Sequence, residues 1–284
     1  MDCRTDLAIE ARELTDSIPE GVEIEESLEN GLRITRIEIG SKEGSRLLHK
    51  PEGRYITIEG LDLRQNFRDT RDHIEAVAGE LRAMLPDSGG VLAAGLGNRS
   101  VTPDALGPAS MDHVIATRHI KGELAKSVGL DRLRTVSVIS TGVLGQTGME
   151  AGEIILGIVK LLKPQAVIVV DALVAKEADR LGCTIQIGSS GIVPGSGVGN
   201  HRMRLDRETL GVPVISVGVP TVAEASYFFG SKSTDTENGR APKKYMITPR
   251  EIDLLTKRAS KLVGMAINCA LQTEYDFDTL ASIS

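Results

Sequence analysis

Apolar positions in this chain follow two rhythms. Val91-Leu92-Ala93-Ala94 and Ala166-Val167-Ile168-Val169-Val170 are apolar at every position, which fits strands buried on both faces. Residues 32–39 alternate partially and 54–59 clearly, the period of half-exposed strands at a sheet edge. Residues 135–140, 183–187 and 213–218 supply three more strand candidates. Elsewhere the period becomes helical. Ile74, Val77, Ala78, Leu81 and Leu85 predict a helix over 69–85, ended by Pro86. Ile154, Ile155, Ile158, Val159 and Leu162 predict another over 149–163, closed by Lys163-Pro164. Helices are also expected over about 107–126 and near 174–181. A final helix is expected from Thr248 as N-cap, with Pro249 first, Glu251 third, and a buried side from Leu254 to Ala270. Alternating β and α elements predict an α/β fold: a mainly parallel, doubly wound sheet with helices on both faces, plus small β additions. No internal repeat is visible, so residues 1–284 read as a single domain. Residues 231–244 lack a large apolar side chain and read as an exposed polar loop.

Composition narrows the classes of function. An apolar content of 41% allows a sizeable core, while 3% aromatics and no Trp give no platform for stacking nucleic-acid bases. The net charge of −6 argues against direct nucleic-acid binding but permits a basic protein as partner. Cys3, Cys183 and Cys269 show no CxxC spacing, so neither a zinc site nor a disulfide framework is implied, and a reducing cytoplasm is the expected setting. No signal peptide or membrane span is expected. Residues 1–30 are strongly acidic. They read as a solvated helix or arm, or as a segment that competes for the protein's own site.

Chemistry gathers at two aspartates. Asp171 ends the run 166–170, and Asp104 follows 91–94 through Gly95-Leu96-Gly97-Asn98 and Thr102-Pro103. Ligands and chemistry collect at the carboxyl ends of strands in open α/β sheets. Two desolvated carboxylates there would share one proton, the ionised one drawing a proton from water and the protonated one donating to a carbonyl. Each Asp could instead cap the helix after its strand. The loop 188–200 carries Gly188, Gly191, Gly195, Gly197 and Gly199. Its backbone could hold an anion, an oxyanion or an extended peptide, or be built only of tight turns. It is neither a Walker loop nor a complete GxGxxG. Among the histidines His201 stands beside that loop, no HExxH or GxSxG occurs, and no metal or cofactor site is predicted.

In order along the chain these motifs resemble the spore germination protease family of endospore-forming bacteria. The resemblance rests on Arg4-Thr5-Asp6-Leu7-Ala8, Gly53-Arg54-Tyr55, Gly95-Leu96-Gly97-Asn98 and Val101-Thr102-Pro103-Asp104-Ala105-Leu106-Gly107-Pro108. It continues through Gly145-Gln146-Thr147-Gly148-Met149-Glu150, Asp171-Ala172-Leu173, Thr184-Ile185-Gln186-Ile187, Pro194-Gly195-Ser196-Gly197-Val198-Gly199-Asn200 and Leu210-Gly211-Val212-Pro213-Val214-Ile215.

The resemblance implies an endopeptidase that degrades small acid-soluble spore proteins at germination. It also implies a self-trimming zymogen, a homotetramer, a place in the forespore or spore core, and a fold like that of hydrogenase-maturation proteases. The family's proposed catalytic aspartates fall on Asp104 and Asp171. Gly195, Ser196, Gly197, Gly199 and Asn200 would line the substrate cleft. The family cuts after an acidic residue, before a large apolar residue and alanine. Asp6-Leu7-Ala8 has that form, which predicts cleavage between Asp6 and Leu7 and a propeptide of residues 1–6. Longer members carry an insertion between Val219-Pro220-Thr221-Val222 and the last helix, where this chain has only the polar stretch. Two alternatives stay open: a metal-dependent protease of the hydrogenase-maturation type, and a non-catalytic peptide- or nucleotide-binding protein.

Overall fold

The computed structural model describes residues 5–63, 71–120, 122–127, 129–195, 202–225 and 245–284. Within them the strands are β1 (Val22–Glu29), β2 (Leu32–Ile39), β3 (Gly53–Glu59), β4 (Val91–Leu96), β5 (Val136–Gly142), β6 (Ala166–Ala175), β7 (Thr184–Gly188), β8 (Val214–Glu224) and β9 (Met246–Ile247). They form one sheet in the order β1-β2-β3-β7-β8-β6-β4-β5, with β9 on β8. The unit β5-β4-β6-β8 is parallel throughout. β7, β3, β2 and β1 extend it as antiparallel strands. The α/β fold expected from the sequence is therefore present, but runs 32–39 and 54–59 are internal strands of its antiparallel wing rather than half-exposed edge strands: β1 takes the edge, and Tyr55, Ile56, Thr57 and Ile58 are all buried.

Both faces of β4 and β6 are covered, which is why these strands are apolar at successive positions. Ala93, Ile168, Val170, Ile215 and Val217 face helices Arg71–Met84 and Ile252–Leu271. Leu92, Ala94, Val167, Val169 and Val214 face helix Ala151–Leu162. On that second face a separate cluster joins Leu7, Ala8, Ile37, Ile39, Tyr55 and Leu173. The cleft described below lies between these two coverings.

Several local expectations give way to tertiary contacts. The helix expected over 107–126 is two short ones, Leu106–Met111 and Gly122–Ser127. The intervening chain turns its donors to β5 and the last helix: Thr117 and Arg118 N–H both donate to Val136 O, and Ile115 N–H to Asn268 Oδ1. The expected helix near 174–181 is replaced by the end of β6 and a single turn, Ala178–Arg180. Val174 and Ala175 continue the ladder with Val222 and Ala223 past a bulge at Leu173. The last helix starts at Ile252 rather than after Thr248. Thr248 donates its hydroxyl to Thr221 O and so ties the approach to β8 instead of capping. The acidic N-terminal stretch is only partly solvated. Helix Ala8–Glu13 is packed into the protein, with Glu10 1% exposed and accepting the N–H groups of Lys176 and Glu177. Glu23, Glu25, Glu26 and Glu29 lie on the edge strand β1. The polar stretch 231–244 lies outside the described residues.

Candidate active site

β4 and β6 run parallel, so their carboxyl ends meet at one edge. Gly95 is the last β4 residue paired with β6, opposite Val170. Asp171 thus stands where β4 ends and its neighbour strand no longer covers it. Beyond Leu96 the chain turns back through Gly97 and a 3-10 turn, Thr102–Asp104. Two close approaches set that turn. Gly97 has φ +109°, and a Cβ there would stand 2.1 Å from Asp104 O. A Cβ on Gly107 would stand 2.2 Å from Leu96 O and 2.4 Å from Val170 O. Only glycine lets the Leu106–Met111 helix sit this close to β4 and β6. Thr221 pins the turn from β8 by donating its hydroxyl to Pro103 O at 2.7 Å.

Asp104 and Asp171 line the same cleft of about 980 Å³, with Asp6, Lys50, Gln186 and Arg202. Asp171 is 6% exposed. Burial raises its pKa well above the usual carboxylate range, and the charges of Asp104 and Asp6 raise it further. The Ala172 N–H, which donates to Asp171 Oδ1 at 2.9 Å, and the Arg202 guanidinium oppose this. Burial also raises Asp104, against the Asn98 N–H on its Oδ2 at 2.8 Å and the charge of Arg202. The charge of Asp104 thus bears on the titration of Asp171. At a pH where one proton remains, Asp171 is the more strongly driven to keep it.

The N-terminal segment forms part of the wall of this cleft through Asp6. Asp6 N–H donates to Val174 O at 2.9 Å, and Val174 N–H donates to Asp6 Oδ2 at 2.8 Å. Leu7 is extended, with φ −80° and ψ 129°, and its side chain is fully buried. Gln186 brackets the Asp6-Leu7-Ala8 stretch: its Nε2 donates to Asp6 O at 2.8 Å and its Oε1 accepts the Ala8 N–H. Lys50 Nζ donates to Thr5 O at 2.9 Å and to Asp6 O at 2.8 Å.

Of the sequence-predicted residues, the fold thus brings together Asp104, Asp171, Asp6 and the backbone of Leu7. Gly195 reaches the rim of the cleft with φ +69°. Ser196, Gly197, Gly199, Asn200 and His201 lie outside the described residues. Sequence reasoning gave no role to Lys50, Gln186 or Arg202. Gln186 alone carried a local signal, as an amide between Ile185 and Ile187 in a buried strand. Among the described residues, no three His, Cys, Asp or Glu side chains cluster as a metal site, and no helix is long and apolar enough to cross a membrane.

The site is thus a carboxylate-lined cleft at the carboxyl edge of an α/β sheet, with Asp6 of the chain's own extended N-terminal stretch in its wall. A family model described as germination protease matches residues 4–235, and the chain belongs to that family of peptidases. The germination protease of Caldanaerobacter subterraneus subsp. tengcongensis is 42% identical over 306 residues, covering 95% of this chain and 94% of its own. That of Priestia megaterium is 43% identical over 237 residues, covering 78% of this chain and 64% of its own. Among solved structures, the [NiFe] hydrogenase maturation protease HycI from Thermococcus kodakarensis KOD1 matches with a TM-score of 0.38 and 16% identity, covering 66% of this chain and 98% of that one.

Proposed function

We propose that this chain is a self-processing endopeptidase whose two aspartates act on a bound water. It cuts after an acidic residue that precedes a large apolar residue and alanine. Its substrates are small acid-soluble spore proteins in the germinating spore, it works as a homotetramer in the spore core, and nucleic acid is not a direct partner. The observation that carries the reading is that Asp171, whose pKa is raised by burial and then by the charges of Asp104 and Asp6, lines one cleft with Asp104 and with Asp6, the residue before the expected cut.

In this mechanism ionised Asp104 takes a proton from water as the water oxygen attacks the Asp6 carbonyl carbon. Asp171 gives its proton to the Leu7 nitrogen as the C–N bond breaks. The products are a carboxyl group on Asp6 and an amine on Leu7, and residues 1–6 are free to leave. The charge of Arg202 lowers the pKa of both carboxyls and so opposes double protonation of the pair.

Acid incubation followed by mass spectrometry tests this reading. Wild type should lose residues 1–6, and the Asp104→Asn and Asp171→Asn chains should stay intact while folded. Near-native trimming by either variant overturns the assignment of that aspartate. Loss of trimming in chelator, restored by one metal ion, would favour the metal-dependent alternative.

A further inference from the structure

We infer that Lys50 and Gln186 are catalytic residues that form the oxyanion hole for the Asp6–Leu7 bond. This inference rests on the proposed self-cleavage. The Asp6 carbonyl oxygen accepts two hydrogen bonds, from Lys50 Nζ and from Gln186 Nε2, each 2.8 Å long. These distances suit stabilisation of the negative oxygen that forms when water adds to a carbonyl. One donor brings a positive charge and the other a fixed dipole.

The orientation of Gln186 is determined by its neighbours. Its Oε1 is engaged by the Ala8 N–H, so Nε2, which can only donate, must face Asp6 O. The residue thereby grips the segment on both sides of the bond. It lies in β7, inside the sheet, and is 9% exposed, so its amide is held by packing. Lys50 arrives from the opposite side, two residues past helix Lys42–Leu48, and holds the Thr5 carbonyl as well. The leaving nitrogen is also placed: the Leu7 N–H donates to Thr5 Oγ1 at 3.1 Å.

In the step itself, water oxygen bonds to the Asp6 carbonyl carbon and the π pair moves onto the oxygen between Lys50 and Gln186. The water proton passes to Asp104. The pair then returns, the C–N bond breaks, and the Leu7 nitrogen takes a proton from Asp171. Lys50 and Gln186 keep their own protons throughout.

The test follows self-cleavage of the full chain by mass spectrometry, with Lys50→Met, Lys50→Arg and Gln186→Leu beside Asp104→Asn. Docking of the segment is read separately, from hydrogen exchange at the Asp6 and Val174 amides. Lys50→Met and Gln186→Leu should each slow cleavage by about 10²–10³-fold with both amides still protected. Lys50→Arg should recover at least about tenfold of the Lys50→Met loss, because it restores a charged donor. Near-wild-type rates in Lys50→Met overturn the inference, as does slowing accompanied by loss of amide protection, which would mark mere positioning. If Gln186→Leu does not fold, the two Lys50 variants decide. An inactive Asp104→Asn chain with a fully active Lys50→Met chain removes this inference alone. Absence of cutting at Asp6–Leu7 in wild type removes the proposed self-cleavage and this inference together.

Discussion

Asp171 and Gln186 stand in one row of the sheet, on either side of Gly218. Asp171 pairs with Gly218 across β6 and β8, and Gln186 pairs with Gly218 across β7 and β8. Residues in one row point to one face, so both side chains rise from the same floor, and the Leu173 side chain packs over the glycine between them. The proposed proton donor and the proposed oxyanion donor thus share a rigid platform. The Asp6 backbone lies above it, bonded to Val174 at one end and to Gln186 at the other.

Adding a side chain at Gly218 should harm the site. A Cβ on Gly218 would stand 2.4 Å from Leu173 Cγ, and Leu173 belongs to the cluster that holds Leu7. Gly218→Ala should cost about 1–3 kcal/mol through overpacking and slow self-cleavage, as read by urea melts and mass spectrometry. Unchanged stability and rate would show that the row tolerates a side chain.

Gly107→Ala should be more severe, because the new methyl meets backbone on two strands, Leu96 O and Val170 O. Neither carbonyl can swing aside as a side chain can. A loss of about 3 kcal/mol or more is expected in denaturant unfolding. Any chain that folds should show Asp104 displaced and cleavage lost.

The stability of the chain should depend on pH through Asp171. Its raised pKa means the folded chain holds this proton over a range where the unfolded chain has lost it. That contribution is full below the ordinary carboxylate value, and it is lost as pH rises through the folded-state value. Relative to Asp171→Asn, wild type should therefore lose stability as pH climbs from about 4. Parallel stability curves for the two proteins would contradict this.

Asp6 raises Asp171 by its charge, so Asp6→Asn should lower the titration midpoint of Asp171. Loss of residues 1–6 should lower the Asp171 pKa in the same direction. Carboxyl-carbon NMR titrations of Asp171 in wild type and Asp6→Asn check this, and coincident midpoints would show that the Asp6 charge has no part in the site.

Much of this was legible in the sequence where burial is symmetric. The uninterrupted runs at 91–94 and 166–170 read as strands because both their faces are covered, and the aspartates beyond them fell at one edge because parallel strands end together. Elements decided by distant partners were not legible. Residues 174–175 look helical alone but are claimed by β8. The stretch after Met111 gives its donors to β5 and to Asn268. Thr248 has the chemistry of an N-cap and spends its hydroxyl on Thr221 O. The acidic residues near the N-terminus looked solvated, yet Glu10 is buried because two β6-end amides require an acceptor. Lys50 carries no local signal at all, since its role appears only when the Asp6 carbonyl is docked beside it.

The central claim, one proton divided between Asp104 and Asp171, is tested most directly by a carboxyl-carbon NMR titration of both residues in the folded chain, repeated in Asp104→Asn. Asp171 should titrate well above the usual carboxylate range in wild type, and its midpoint should fall when the Asp104 charge is removed. Two independent titrations in the ordinary range, with Asp171 unmoved by Asp104→Asn, would contradict the account.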